Sequence, residues 1–170
     1  MSGKLDLAAN VGYTGSMAPL KAWLLSPSYR VVVLHRISAK FSRGGPIGKI
    51  VSRFAWMRIV KGYGSYISPK STIGAGLALP HPTAIVIGDG AIIGQNVTIY
   101  QSVTLGRRNN KRAEYPRLGD NVTVYAGAVI VGAVTIGDGA VIGANALVTT
   151  DVPTGGIVTQ KASEMIVRRT

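Results

Sequence analysis

Through the second half of this 170-residue chain an aliphatic side chain returns at every sixth position. Ile67, Ile73 and Leu79 begin the series. After two additional residues it resumes with Ile87, Ile93, Ile99 and Leu105. After a longer interruption it continues with Leu118, Val124, Ile130, Ile136, Ile142 and Val148. All of these are Ile, Leu or Val, which make up 46 of the 170 residues, so coincidence has odds on the order of 10⁻⁸ before any allowance for the choice of register. Two residues before many of them stands a second small or β-branched side chain: Ala91, Val97, Val103, Val122, Ala128, Val134, Ala140 and Ala146. Alternation along a strand turns both positions to the same inward side. Gly frequently follows the aliphatic residue, as at Gly74, Gly88, Gly94, Gly119, Gly137 and Gly143, where a sharp bend is needed. Six residues per flat side and three sides give a coil of eighteen, whose aliphatic side chains stack in columns. Each buried one contributes roughly 1.5–3 kcal/mol relative to exposure. A single coil cannot hide its own core, so stacking is obligatory. The spacing excludes a 3.6-residue helical face over this segment.

The expected organisation is an N-terminal helical appendage over residues 1–64, the repeat over 65–153 and a C-terminal tail over 154–170. Within the appendage, apolar and basic residues mix at helical spacing, and Pro19, Pro27 and Gly44-Gly45-Pro46 punctuate them. Two main helices are expected, near 29–42 and 47–60. They would cap the open end of the coil, whose strand edges are otherwise bare, or lie on a membrane surface by their basic faces. Between Asp6 and Asp89 there is no acidic residue, while ten Lys or Arg run from Lys21 to Lys70. That imbalance suits either a solvated basic surface or an anionic neighbour such as a phosphorylated cofactor, a lipid-linked acceptor or a membrane. Cys is absent, which excludes disulfides and thiol chemistry. No apolar run reaches a membrane span, and the first 30 residues lack a signal-peptide pattern. The expected location is the cytoplasm, with contact at the inner membrane through the basic helices.

Chemistry concentrates where the six-residue pattern breaks. His81 is one of two histidines and lies between Pro80 and Pro82, which stiffen the turn. Its imidazole, with an ordinary pKa of about 6.5, can take a proton from a hydroxyl near neutral pH. A turn histidine without a role is the competing reading. The second break, from Gly106 to Arg117, is a basic loop. Gly88-Asp89-Gly90 has the wrong spacing for a dinucleotide loop and reads as repeat punctuation. Asn96-Val-Thr and Asn121-Val-Thr read as chance glycosylation triplets. His35, inside a helical stretch, reads as a structural or surface residue.

Leu79-Pro-His-Pro-Thr-Ala-Ile-Val-Ile-Gly, Val97-Thr-Ile-Tyr-Gln-Ser-Val-Thr-Leu-Gly, Tyr115-Pro-Arg-Leu-Gly-Asp and Ile142-Gly-Ala-Asn-Ala-Leu-Val resemble the hexapeptide-repeat acyltransferases, most closely the serine acetyltransferase branch. The likeness covers roughly residues 29–153. It implies an all-β left-handed parallel β-helix with a small N-terminal α-helical appendage, a homotrimer with active sites between subunits, and acetyl-CoA as co-substrate without a metal. It also implies that His81 is the general base in a direct transfer. Tyr66 and Ser68 are expected to orient His81, or a main-chain carbonyl does so. Asp89 and Tyr115 are expected at the acceptor. Coenzyme A is expected along the groove between adjacent β-helices, against Gly106, Ala126, Gly132 and Ala144. Its phosphates would meet Arg107, Arg108 and Lys161, with Lys111 and Arg112 of the same loop also available. Small residues at 126 and 144 equally suit the tight corners of a narrow prism, and the basic loop equally suits solvent.

Several positions depart from the serine acetyltransferase pattern. Tyr66 stands where that branch has the Asp partner of its catalytic His. Pro80 stands where it has an acidic residue, and Tyr115 where it has a second, substrate-contacting His. Its helical region is also larger. The Leu-Pro-His-Pro form resembles acetyltransferases of polysaccharide biosynthesis. From these departures the expected acceptor is a sugar hydroxyl of an exopolysaccharide or its lipid-linked precursor, with serine as the alternative and no nucleic-acid partner. A γ-class carbonic anhydrase on the same coil would need three zinc-binding imidazoles per site, and the chain has two histidines in all.

Overall fold

The computed structural model describes residues 2–11, 17–109 and 114–160. Four helices come first: α1 (Ser2–Asn10), α2 (Ala18–Leu25), α3 (Pro27–Ser42) and α4 (Pro46–Tyr63). Short strands follow: β1 (Tyr66–Ile67), β2 (Thr72–Ile73), β3 (Val86–Ile87), β4 (Ile92–Ile93), β5 (Thr98–Ile99), β6 (Thr104–Gly106), β7 (Arg117–Leu118), β8 (Thr123–Val124), β9 (Val129–Val131), β10 (Thr135–Ile136), β11 (Val141–Ile142), β12 (Leu147–Val148) and β13 (Ile157–Val158). They form three parallel sheets, ordered β1-β3-β6-β9-β12, β2-β4-β7-β10 and β5-β8-β11-β13. These are the three faces of a prism. Its regular repeat is eighteen residues, as in Val86↔Thr104 and Val129↔Leu147. Tyr66↔Val86 is two residues longer, because the His81 turn lies between. Thr104↔Val129 is seven longer, because the basic loop lies between. The last strand, β13, pairs Ile157 with Val141 and so carries the ladder past residue 153.

The six-residue series becomes the core. Its members are no more than 8% exposed, and the preceding small residues from Ala91 to Ala146 are equally buried. The corners explain two other sequence features. One column of corner residues, Gly76, Asn96, Asn121, Gly139 and Gly155, has positive φ throughout. Asn and Gly tolerate that left-handed conformation best, so the two Asn-Val-Thr triplets owe their Asn to backbone geometry. Elsewhere the coils approach too closely for a side chain: a Cβ at Gly74 would collide with the backbone of Gly94.

The helices close one end of the prism. Ser26 caps α3 by accepting from the Tyr29 amide, and Gly64 ends α4 in the left-handed conformation. Arg30 donates to the Trp23 and Leu24 carbonyls, tying the end of α2 to α3. Val31, Val32 and Ile59 join the prism core. The polar edge of the first coil is met largely by α1, which the sequence reading did not separate as a helix. Asp6 accepts from the Gly76 amide. Asn10 donates to the Leu77 carbonyl and accepts from the Leu79 amide. Arg36 pairs with Asp6 at 3.0 Å and donates to the Ile73 and Gly74 carbonyls. His35 is buried, its Nε2 at 3.1 Å from the Ser68 carbonyl and 3.2 Å from Ser71 Oγ.

Candidate active site

Because the chain runs through the three faces in fixed order, each corner of the prism collects residues from successive coils. The corner entering the β1-β3-β6-β9-β12 face carries His81, Tyr100, Ala126 and Ala144. The corner leaving that face carries Ser68, Asp89, Arg107, Arg108, Tyr115 and Gly132. The sequence-predicted site residues therefore fall on two edges of one face.

At the first edge, the two-residue excess pushes the His81 turn outward. Pro80 and Pro82 flank it, the Thr83 amide donates back to the His81 carbonyl at 2.7 Å, and Ala84 takes a positive φ of 55°. A non-glycine residue there is strained, and the strain is held by its surroundings. Ser65, fully buried, does the holding: its hydroxyl donates to the Pro82 carbonyl at 3.0 Å and accepts from the Ile85 amide at 3.1 Å. The His81 side chain is exposed. Its ring lies 6.3 Å from that of Tyr100, which stacks on Tyr125 at 5.1 Å with an interplanar angle of 17°. Ser65 and the Tyr100–Tyr125 stack escaped the sequence reading. The available signal was positional: Tyr100 and Tyr125 occupy equivalent corner sites once the seven-residue loop is discounted.

The two side chains expected to orient His81 are engaged elsewhere. Ser68 sits at the opposite edge, where its hydroxyl donates to Asp89 Oδ1 at 2.8 Å and accepts from the Lys70 amide. Tyr66 packs edge-on against Trp56 of α4, ring centroids 5.3 Å apart. The expectation for Ser68 is thus corrected for His81 of the same chain. The coil below His81 is twenty residues long, so the residues beneath it are those around Ser65.

The second edge is charged. The Ser68 hydroxyl, aided by Lys70 and Arg107, holds the Asp89 carboxyl below its usual value against the opposing effect of partial burial. Lys70 Nζ lies 3.1 Å from Asp89 Oδ2. The Tyr115 ring lies on Gly88 and Gly90, where a Cβ would collide with it, so these glycines make room for an aromatic ring. Asp89 and Tyr115 are thereby brought together. Arg108 and Gly132 share a cleft of about 460 Å³ with Ala133 and Thr149, and the Gly132 amide donates to the Gly106 carbonyl at 3.0 Å. Ala126 and Ala144 lie on the His81 edge, linked by the Asn145 amide to the Ala126 carbonyl. Lys111, Arg112 and Lys161 lie outside the described residues. Among the described residues, no group of three His, Asp or Glu forms a metal-binding cluster.

Residues 115–150 match the family described as bacterial transferase hexapeptide (six repeats), and residues 84–108 match the hexapeptide repeat of succinyl-transferase. A plasmid-borne serine acetyltransferase of Synechococcus elongatus is 31% identical, over 92% of this chain and 52% of its own length. A serine acetyltransferase of Neisseria gonorrhoeae, solved in complex with serine, superposes with a TM-score of 0.80 at 30% identity, over 96% of this chain and 67% of that one. The isoform 3 enzyme of Entamoeba histolytica, in complex with cysteine, gives a TM-score of 0.82 at 29% identity, covering 99% and 60%. The chain spans about half the length of the curated relatives it matches along most of its own.

Proposed function

The chain belongs to the hexapeptide-repeat acyltransferases, with their left-handed parallel β-helix, and from that premise we propose that it transfers the acetyl group of acetyl-CoA to the hydroxyl of serine. The sugar acceptor expected from Tyr66, Pro80 and Tyr115 is withdrawn, and polysaccharide biosynthesis with it. The relatives and solved structures that match along nearly the whole chain are named serine acetyltransferases, and two of the structures hold serine. The three departures remain differences within that reading. Position 66 carries no carboxylate, so the imidazolium formed during catalysis has no ion partner from that position.

The observation that carries the proposal is the rigid presentation of His81 at a prism edge. Its imidazole takes the acceptor's hydroxyl proton as the oxygen attacks the thioester carbonyl. The C–S bond then breaks, the acetyl group stays on oxygen, and the proton returns from the imidazolium to the departing thiolate. Such help is typically worth about 10²–10⁴-fold. The second edge supplies the complementary groups. Asp89, held ionised, suits the ammonium group of an amino acid, and Tyr115 beside it suits the same acceptor. Arg107 and Arg108 suit the phosphates of coenzyme A, whose pantetheine arm would pass Gly106, Gly132 and the small residues Ala126 and Ala144.

Two edges of one face cannot both border a single substrate within one chain. A homotrimer sets the His81 edge of each subunit against the Asp89–Tyr115 edge of the next, which supports a trimeric enzyme. Gln101 Oε1, next to Tyr100 on the His81 edge, is buried without a hydrogen-bond donor among the described residues. Leaving such an acceptor unpaired costs about 1–3 kcal/mol. The test is release of the coenzyme thiol from acetyl-CoA, measured with serine and with a panel of other hydroxyl compounds, sugars included. Serine-dependent release with O-acetylserine as product is expected. Release that is indifferent to serine and brisk with another acceptor would overturn the assignment.

A further inference from the structure

We propose that the outer face of α2 and α4 docks on an anionic lipid bilayer. The proposal is independent of the acceptor assigned above. On α4 the side chains Ser52, Ala55 and Ile59 face inward. Helical spacing places Ile47, Ile50, Phe54 and Arg58 on the opposite side. Ile47 is 79% exposed, Ile50 67% and Phe54 70%. The end of α2 extends this surface: Leu24 is 62% exposed and Leu25 68%. Trp23 of α2, Arg30 of α3 and Phe54 and Arg58 of α4 line one cleft of about 420 Å³. Five large apolar side chains exposed on two helices that share a cleft are more than the scattered exposure of an ordinary surface.

Charge selects the occupant. The ten basic residues between Asp6 and Asp89 face no acidic residue of their own segment. Among the described residues, the ion pairs of this region use Arg36, with Asp6, and Lys70, with Asp89. Arg58 and Lys61 are exposed on the flank of the apolar stripe, and neither enters these ion pairs, whereas Lys49 and Arg53 turn to the cleft that holds Asp89. A second copy of the same face would bring cations against cations. A nucleic acid would satisfy the cations but leave Ile47, Ile50, Leu24 and Leu25 facing phosphates. An interface with anionic headgroups above acyl chains satisfies both. No described helix is long and apolar enough to cross a membrane, so the contact is peripheral.

The experiment uses the full chain and sedimentation with vesicles of phosphatidylcholine alone or mixed with phosphatidylglycerol. Binding to the anionic vesicles is expected to be at least about tenfold stronger, since each Lys or Arg near such a surface contributes appreciably. The Ile50→Asp/Phe54→Asp double variant, changed only at exposed positions, should lose about tenfold or more of that binding. It should keep the wild-type melting temperature and acetyl-transfer rate. Arg58→Gln/Lys61→Gln should weaken binding and flatten its dependence on salt. Equal binding to both vesicle types, no binding, or binding unchanged in the aspartate variant would overturn the proposal. So would a concentration-dependent rise in mass without vesicles that the aspartate substitutions abolish, since that assigns the face to a second copy. Tight capture of duplex DNA that survives the aspartate substitutions would overturn it as well.

Discussion

The prism and its helical cap are held by different kinds of interaction. In the prism, stability is repeated: each aliphatic side chain sits in a column of equivalents, and the loss of one leaves the others in place. At the junction with the cap, stability is singular. Asp6, Asn10, His35 and Arg36 each bond to backbone groups of the first coil from outside the repeat. A repeat protects its interior by multiplication, but its first coil has a bare edge that a non-repeating segment must match group by group.

The largest expected effect separates chemistry from both kinds of stability. His81→Ala removes an exposed side chain from a turn already fixed by Ser65 and two prolines. Acetyl transfer to serine should fall about 10²–10⁴-fold, or about 3–5 kcal/mol, with the melting temperature unchanged. Steady-state rates and a thermal melt on the same preparation check this. A variant that melts early would show that the imidazole itself braces the turn.

The next effect tests the contrast directly. Ile130→Ala, in the middle of its column and fully buried, should cost about 2–5 kcal/mol, spread over the whole prism. Asp6→Ala removes the acceptor for the Gly76 amide and the partner of Arg36. It should cost about 1–3 kcal/mol, and hydrogen exchange should quicken locally, from Ile73 to Leu79. Uniform acceleration in the Asp6 variant would mean that cap and prism unfold as one unit.

His35 makes the junction sensitive to acid. Burial lowers its pKa to about 4, against the opposing hydrogen bond to the Ser68 carbonyl and with a further lowering by Arg36. In the unfolded chain the ordinary value is about 6.5. Between these values the unfolded chain takes up a proton that the folded one refuses. Stability is therefore fully present above pH 6.5 and declines as pH falls toward 4, by up to about 3 kcal/mol. Denaturant titrations across that window should show the decline, and His35→Gln should flatten it. An unchanged slope in the variant would move the acid sensitivity elsewhere.

The same contrast explains what could be read from the sequence. The prism was legible because one six-residue rule recurs with only two interruptions, and burial obeys it from Ile67 to Val148. The cap was only partly legible. Pro27 and the Gly44-Gly45-Pro46 turn marked α3 and α4, but the work of α1 is done by Asp6 and Asn10 on residues about seventy positions away, which leaves no local pattern. Within the site, His81 announced itself by breaking the repeat. Its surroundings did not, because the same two-residue break shifts the register beneath it. Counting back a nominal coil pointed to Tyr66 and Ser68, whereas the longer coil brings Ser65 under the turn and Ser68 beside Asp89.

The smallest effect concerns the aromatic stack beside His81, where prism regularity and catalysis meet. Tyr100 and Tyr125 hold one another face to face, and Tyr100 also flanks the imidazole. Aromatic contacts of this kind are worth about 0.5–1.5 kcal/mol. Tyr100→Ala should therefore lower kcat by a few-fold to about tenfold, through a less well positioned imidazole, with little change in KM for acetyl-CoA. Tyr100→Phe keeps the ring and should restore the rate. If both variants lose activity equally, the phenolic oxygen and not the ring face is what the site requires. If neither does, the stack belongs to the prism alone, and His81 is positioned by its prolines and Ser65.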